Sequence, residues 1–147
     1  MKWKIILFIF LSVISTGLFA QIRKIPPAVT DAMSARYPHA KKVSWRDHLS
    51  SFQAEYILNG TEMKSYFNNK GEWVYSEKKI SFNQLPEAVM EGFGKCKYTN
   101  WTSGSIEEIE RQGKPLQYRI FVRKNSVEKK YLYFDSNGML LREAITL

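Results

Sequence analysis

Few side chains in this 147-residue chain are of a type that does chemistry, and their spacing limits what they could do. His39 and His48, the only histidines, stand nine residues apart near the ends of a strand-like segment. No Cys, Asp or Glu joins them at ligand spacing, so a metal site is not expected. Cys96 is the only cysteine, which rules out an intramolecular disulfide. With no activating neighbour in sight, it is expected to be a small buried residue at a helix end rather than a nucleophile. Glu107, Glu108 and Glu110 cluster beside a turn, where a general acid/base pair would lack the pocket that shifts carboxyl pKa values, so solvated charge is expected. Asp135-Ser136-Asn137-Gly138 opens like a calcium loop, but the later acidic ligands and the closing glutamate are missing, and a hairpin turn accounts for it. Nor does the sequence hold a nucleophile elbow, a phosphate-cradling glycine loop or a zinc-protease motif. The chain is therefore expected to be no enzyme and to need no cofactor.

What remains is binding. Period-two alternation turns Leu116, Tyr118, Ile120 and Val122 to one side of a strand and Arg119, Phe121 and Arg123 to the other. The same alternation separates Leu132 and Phe134 from Tyr131 and Tyr133, and Phe67 from Lys64 and Tyr66, and it sends Trp73 and Tyr75 outward on the next strand. The candidate binding face is thus Tyr66, Trp73, Tyr75, Arg119, Phe121, Arg123, Tyr131 and Tyr133. Aromatics with arginine are the residue types enriched where proteins meet partners. The alternative is that cross-strand aromatic pairs only stiffen an exposed sheet, and a one-residue register slip would exchange the two faces.

The elements that position these residues come in two sets. Tyr66-Phe67-Asn68-Asn69-Lys70-Gly71 and Tyr133-Phe134-Asp135-Ser136-Asn137-Gly138 lie 67 residues apart, each a strand running into a polar turn closed by glycine. Ile25-Pro26-Pro27-Ala28-Val29 and Leu85-Pro86-Glu87-Ala88-Val89 match at an offset of 60, and Trp45 and Trp101 at 56. The order of landmarks is kept while loops vary, the mark of an internal repeat. In the first copy, Pro26 and Pro27 open a helix bearing Val29, Ala32, Met33 and Arg36 that stops at Pro38. Strands over 42–46, 52–58, 61–67 and 72–79 follow, with Asn59-Gly60 as a tight hairpin turn. In the second, Ser81 or Asn83 caps a helix with Leu85, Val89 and Phe93 on its apolar face, and strands follow over 98–108, 116–123, 128–134 and 139–146. The hairpin arm of the second copy is a few residues longer than that of the first.

Residues 1–20 stand apart from both copies. Lys2 and Lys4 precede an apolar run over 5–13, and small residues lead to Ala20, the pattern of a secretory signal peptide cleaved after Ala20. The run is too short to span a bilayer comfortably. A periplasmic or secreted chain is expected, with residues 22–80 and 81–147 as its two repeats. The chain carries 22 bases against 14 acids, a formal charge of +8. For an exported protein this favours envelope polymers, lipid headgroups or an acidic protein surface as partners over nucleic acid; a basic solubilising surface is the plainer explanation.

Two copies of helix plus antiparallel meander behind a signal peptide, with Leu85-Pro86-x-Ala88-Val89 and Tyr133-Phe134-Asp135-Ser136-Asn137-Gly138-x-Leu140, resemble the PepSY-like family of exported bacterial proteins, grouped by fold with the beta-lactamase-inhibitor proteins. The resemblance covers nearly all of residues 22–147. It implies an α+β fold, a tandem repeat of helix plus antiparallel β-meander with helices on one face of the sheet and the other face open to a partner. It implies no catalytic residues. Beta-lactamase inhibitors carry disulfides in their repeats and this chain cannot, so that activity and its contact residues are not carried over. PepSY domains are linked to restraint of proteases, so peptidase inhibition is a conceivable role. The expected function is a non-enzymatic exported binding module, acting on an exported or envelope protein through the open sheet face; the alternative is a binder of a small ligand or an envelope glycan.

Overall fold

The computed structural model describes residues 24–146; the expected signal peptide and its cleavage site lie outside them. The chain runs as helix α1 (Pro27–Arg36), strands β1 (Lys41–Asp47), β2 (Ser51–Leu58), β3 (Thr61–Asn68) and β4 (Trp73–Ile80), a 3-10 turn (Phe82–Gln84), helix α2 (Glu87–Lys95), and strands β5 (Thr102–Arg111), β6 (Gln117–Arg123), β7 (Lys129–Asp135) and β8 (Leu140–Ile145). All eight strands form one antiparallel sheet in chain order. The fold is α+β, and no helix among the described residues is long and apolar enough to cross a membrane.

Two apolar clusters fill one face of this sheet. Val29 and Met33 of α1 are buried with Phe52, Ala54, Tyr56 and Phe67. Val89 and Phe93 of α2 are buried in a second cluster that includes Ile120, Val122, Leu132 and Phe134. Pro27 takes the first position of α1, where a missing N–H costs nothing because that group lacks a partner anyway, and Pro86 stands at the N-cap of α2. The side carrying these clusters is the core face; the other is the outer face.

The sequence landmarks touch each other. Asn68 Oδ1 accepts N–H bonds from Lys70 and Glu72, and Asp135 Oδ1 accepts them from Asn137 and Met139, so one side chain closes each turn. Gly71 and Gly138 then take φ of +86° and +82°. A Cβ on Gly71 would overlap the carbonyl of Ala28, and one on Gly138 would overlap that of Ala88. A helix lies against each glycine turn, which is why the two motifs occur together.

The structure departs from the sequence expectation in several places. β5 starts at Thr102, not at residue 98. Residues 96–101 instead wind through successive turns, Thr99 N–H to Cys96 O and Trp101 N–H to Tyr98 O, and Tyr98 is buried against the edge of Trp101. β5 still has 10 residues against 7 in β1, and both carry a one-residue register shift, between Lys41 and Ser44 and between Ser103 and Ile106. Ser81 closes the 3-10 turn, its N–H bonded to Gln84 Oε1, and does not cap α2. Cys96 ends α2 partly buried against the second cluster.

Candidate binding face

The outer face is a lattice of cross-strand neighbours set by the register. One row runs Arg46, Gln53, Tyr66, Tyr75, Arg111 across β1 to β5. Another runs Lys79, Glu107, Arg119, Tyr133, Arg142 across β4 to β8. In the first row the Tyr66 and Tyr75 rings stack at 4.1 Å, and the Arg111 guanidinium lies 4.4 Å from the centre of Tyr75. In the second, Arg142 lies 3.4 Å over Tyr133. Phe121 and Tyr131 pair at 5.4 Å beside Arg119. Burial raises the Tyr66 and Tyr75 phenols above their usual range, assisted by the Glu77 carboxylate, so both stay neutral donors.

Arg119 is the hub. Its Nη1 reaches Glu77 Oε1 at 2.8 Å and its Nε reaches Glu107 Oε2 at 3.1 Å, with all three side chains largely withdrawn from water. Burial disfavours the guanidinium charge, but the two carboxylates outweigh it and hold Arg119 protonated. Around this triad Lys79 pairs with Glu62 at 2.7 Å, and Glu55 lies 3.4 Å from Arg46 and 3.8 Å from Lys64. A cleft of about 500 Å³ opens here, lined by residues of seven strands. Its charges are Lys42, Lys64, Lys79 and Arg119 against Glu55, Glu62, Glu77 and Glu107, four of each sign.

Of the eight residues expected on this face, seven are there: Tyr66, Tyr75, Arg119, Phe121, Arg123, Tyr131 and Tyr133. Trp73 is not. The register shifts after Tyr66↔Tyr75, so that Phe67 pairs with Trp73 and Val74 is passed over. This bulge turns Trp73 to the core face, where Nε1 donates to Ser76 Oγ at 2.8 Å and Arg36 stacks on the ring at 3.6 Å. The same shift between Tyr133 and Phe134 makes Leu140 pair with Phe134 and Arg142 with Tyr133. Tyr133, moreover, is only 7% exposed, so it belongs to the floor of the face and is not a free contact. Phe121 rests on Gly104, where any Cβ would strike its ring.

The acidic cluster also departs from expectation. Glu107 is held by Arg119 and largely withdrawn from water, whereas Glu108 pairs with Lys78 at 3.7 Å and Glu110 with Arg36 at 3.1 Å. Solvated charge was the wrong description of Glu107. Arg111, Arg142, Glu77 and the fully buried Ile109 were not foreseen on this face. A signal for Arg142 existed: it follows Asp135 by seven residues, as Tyr75 follows Asn68. The same count sets Trp73 at the place of core-facing Leu140. His48, exposed, pairs with Gln53 at 2.8 Å, and no group of three or more metal-ligating side chains occurs among the described residues.

A one-layer antiparallel sheet with an apolar face and a polar, aromatic face that no described element covers belongs to the class of scaffolds that present a sheet surface. The sequence profile of the family described as "Putative beta-lactamase-inhibitor-like, PepSY-like" matches residues 50–142, and the chain belongs to that family. No curated protein matches it. Among solved structures, a BLIP-like protein from Bacteroides fragilis is 26% identical with a TM-score of 0.79, over 86% of this chain and 90% of that one. A DUF2874 family protein from Bacteroides ovatus is 25% identical with a TM-score of 0.78, over 84% and 89%. A Bacteroides eggerthii protein described as periplasmic shares the fold at 22% identity and a TM-score of 0.78, over 84% and 90%.

Proposed function

We propose that this protein is an exported, non-enzymatic binding module that holds a partner protein on the outer face of its sheet. Two copies of a helix-plus-four-strand unit build it, residues 22–80 and 81–147, with their helices closing the core face and leaving the other open. The observation that carries this proposal is the set of aromatic rings on the open face. Tyr66, Tyr75, Phe121 and Tyr131 are half-buried and braced by other rings or arginines, so little side-chain entropy is left to lose when a partner covers them. The likeness to BLIP-like and periplasmic proteins agrees with binding and with export. Inhibition of an exported enzyme, a peptidase included, is the activity to assay on any partner found.

The test is affinity capture from an envelope extract on immobilised residues 21–147, beside a Tyr75→Ala/Tyr131→Ala variant. These two are chosen because neither belongs to the apolar clusters, unlike Trp73, and neither is as buried as Tyr133. A protein retained by the first bait and lost from the second, with both baits folded, supports a protein-binding face. Identical retention by both baits, or none by either, refutes it.

A further inference from the structure

Cross-strand neighbours on the outer face follow different rules in the two halves of the sheet. Counted from Phe52↔Phe67 in the first half and Tyr118↔Phe134 in the second, Glu55↔Lys64 corresponds to Phe121↔Tyr131, and Ile57↔Glu62 to Arg123↔Lys129. The first half thus sets Glu opposite Lys, the ordinary way to steady an exposed pair of strands. The second sets ring against ring and base against base. Like charges directly opposite weaken a strand pair. Neither Arg123 nor Lys129 has an acidic partner among the described residues, and the adjacent Glu128 is held by Lys124 at 3.4 Å.

Phe121, Arg123 and Tyr131 line a pocket of about 420 Å³ together with the β5 segment Thr102-Ser103-Gly104-Ser105. The register shift between Ser103 and Ile106 bulges that segment, and Gly104 lets its backbone lie against the Phe121 ring. The hydroxyls of Thr102, Ser103 and Ser105 make no hydrogen bond among the described residues. Arg123 is the only charged residue of the lining, whereas the cleft beside it, which shares Ser105 and Tyr131, carries four acids. We infer that this pocket binds a sugar bearing an acidic group. The C–H surface of the sugar ring rests on Phe121 and Tyr131, its hydroxyls meet those of Thr102, Ser103 and Ser105, and its anion takes the guanidinium of Arg123 with Lys129 alongside.

Each part of the lining calls for a part of that ligand. A wall of aromatic rings with a few convergent polar groups, at a volume within the roughly 300–1,000 Å³ of small-ligand sites, suits one small molecule. Serine and threonine hydroxyls both donate and accept, as sugar hydroxyls require of their partners. A guanidinium offers two parallel N–H groups to a carboxylate, sulfate or phosphate. A bare inorganic anion would leave the rings and hydroxyls unused, and a neutral sugar would leave the two bases unpaired. This ligand is separate from the partner protein proposed above, and either proposal can hold without the other.

The test is a nuclear magnetic resonance titration of isotope-labelled residues 21–147 with methyl glucuronoside and with the phosphate and sulfate monoesters of glucose. Methyl glucoside and inorganic sulfate are titrated beside them. At least one acidic sugar should give saturable shifts at 102–105 and 121–123, and binding should weaken as salt rises. Methyl glucoside and inorganic sulfate should each bind about tenfold more weakly or worse. Arg123→Gln, at an exposed position, and Phe121→Leu, which keeps apolar bulk and removes the ring, should each lower the affinity about tenfold. Lys70→Gln, which removes an exposed base from the turn after β3, should leave it unchanged. The amide spectrum of each variant shows whether it has folded. The absence of saturable shifts with every acidic sugar overturns the inference, as do shifts that map outside the pocket. Inorganic sulfate binding as tightly as the sugars, or parent affinity in folded Arg123→Gln, overturns it as well.

Discussion

Arg119 carries the outer face at the level of single residues. It has two carboxylates to hold and one charge to hold them with, so removing it leaves Glu77 and Glu107 facing each other in a site almost closed to water. Arg119→Ala should therefore cost on the order of 3 kcal/mol in urea denaturation, and Glu77→Gln in the same chain should restore part of it. A second charged group is tuned by its neighbours on the core-face margin. Glu143 accepts a hydrogen bond from the Tyr98 hydroxyl and another from Lys130 Nζ at 2.9 Å, with Lys97 3.1 Å away, and these draw its carboxyl down to about 2 from an ordinary 4.5. Because the folded value is the lower one, the stabilisation is complete above the unfolded value and is lost as pH falls through the folded one. Glu143→Gln should be less stable than the parent at pH 7, and thermal melts should show the gap closing between about pH 4.5 and 2.

At the level of elements, the contact between helix and glycine turn sets the geometry of each half. Gly138→Ala would place a methyl group on a left-handed backbone and into the Ala88 carbonyl, so a loss of roughly 2–4 kcal/mol is expected from thermal or urea melts. Gly60 has the same left-handed φ and nothing within 4 Å, so Gly60→Ala should cost only the backbone strain, about 1 kcal/mol. The difference between the two measures the helix contact. These elements were legible in the sequence because proline, glycine and strict alternation are local signals. Tyr66, Arg119 and Tyr131 were placed correctly for that reason. Trp73 was misplaced because one residue, Val74, is passed over in the ladder, and alternation cannot register an uneven count. β5 began late because aromatic residues 98 and 101 look like strand formers, while what fixes them is burial of Tyr98 under Trp101. Glu107 was misjudged for a further reason: its ion pair is made with Arg119, 12 residues away and on another strand.

For the whole molecule, the join between the halves decides how it unfolds. β4 and β5 pair along its length, and ion pairs cross it from Glu77 to Arg119, Lys78 to Glu108 and Arg36 to Glu110. Neither half can open without stranding charges of the other, so one cooperative transition is expected. Trp45 and Trp73 report on the first half and Trp101 on the second. Urea transitions followed in Trp101→Phe and in Trp45→Phe/Trp73→Phe should show the same unfolded fraction at each concentration as circular dichroism of the same variant. Two separated midpoints within one variant would mean that the halves are independent. The strand order has a consequence of another kind. Each strand from β2 onward pairs with the strand made just before it, so no part of the sheet waits for the far end of the chain. A polypeptide emerging amino end first from a ribosome or a translocation pore can lay this sheet down as it arrives, without long loops left open to aggregate. Its assembly is then paced by delivery of the chain, not by a search for distant segments.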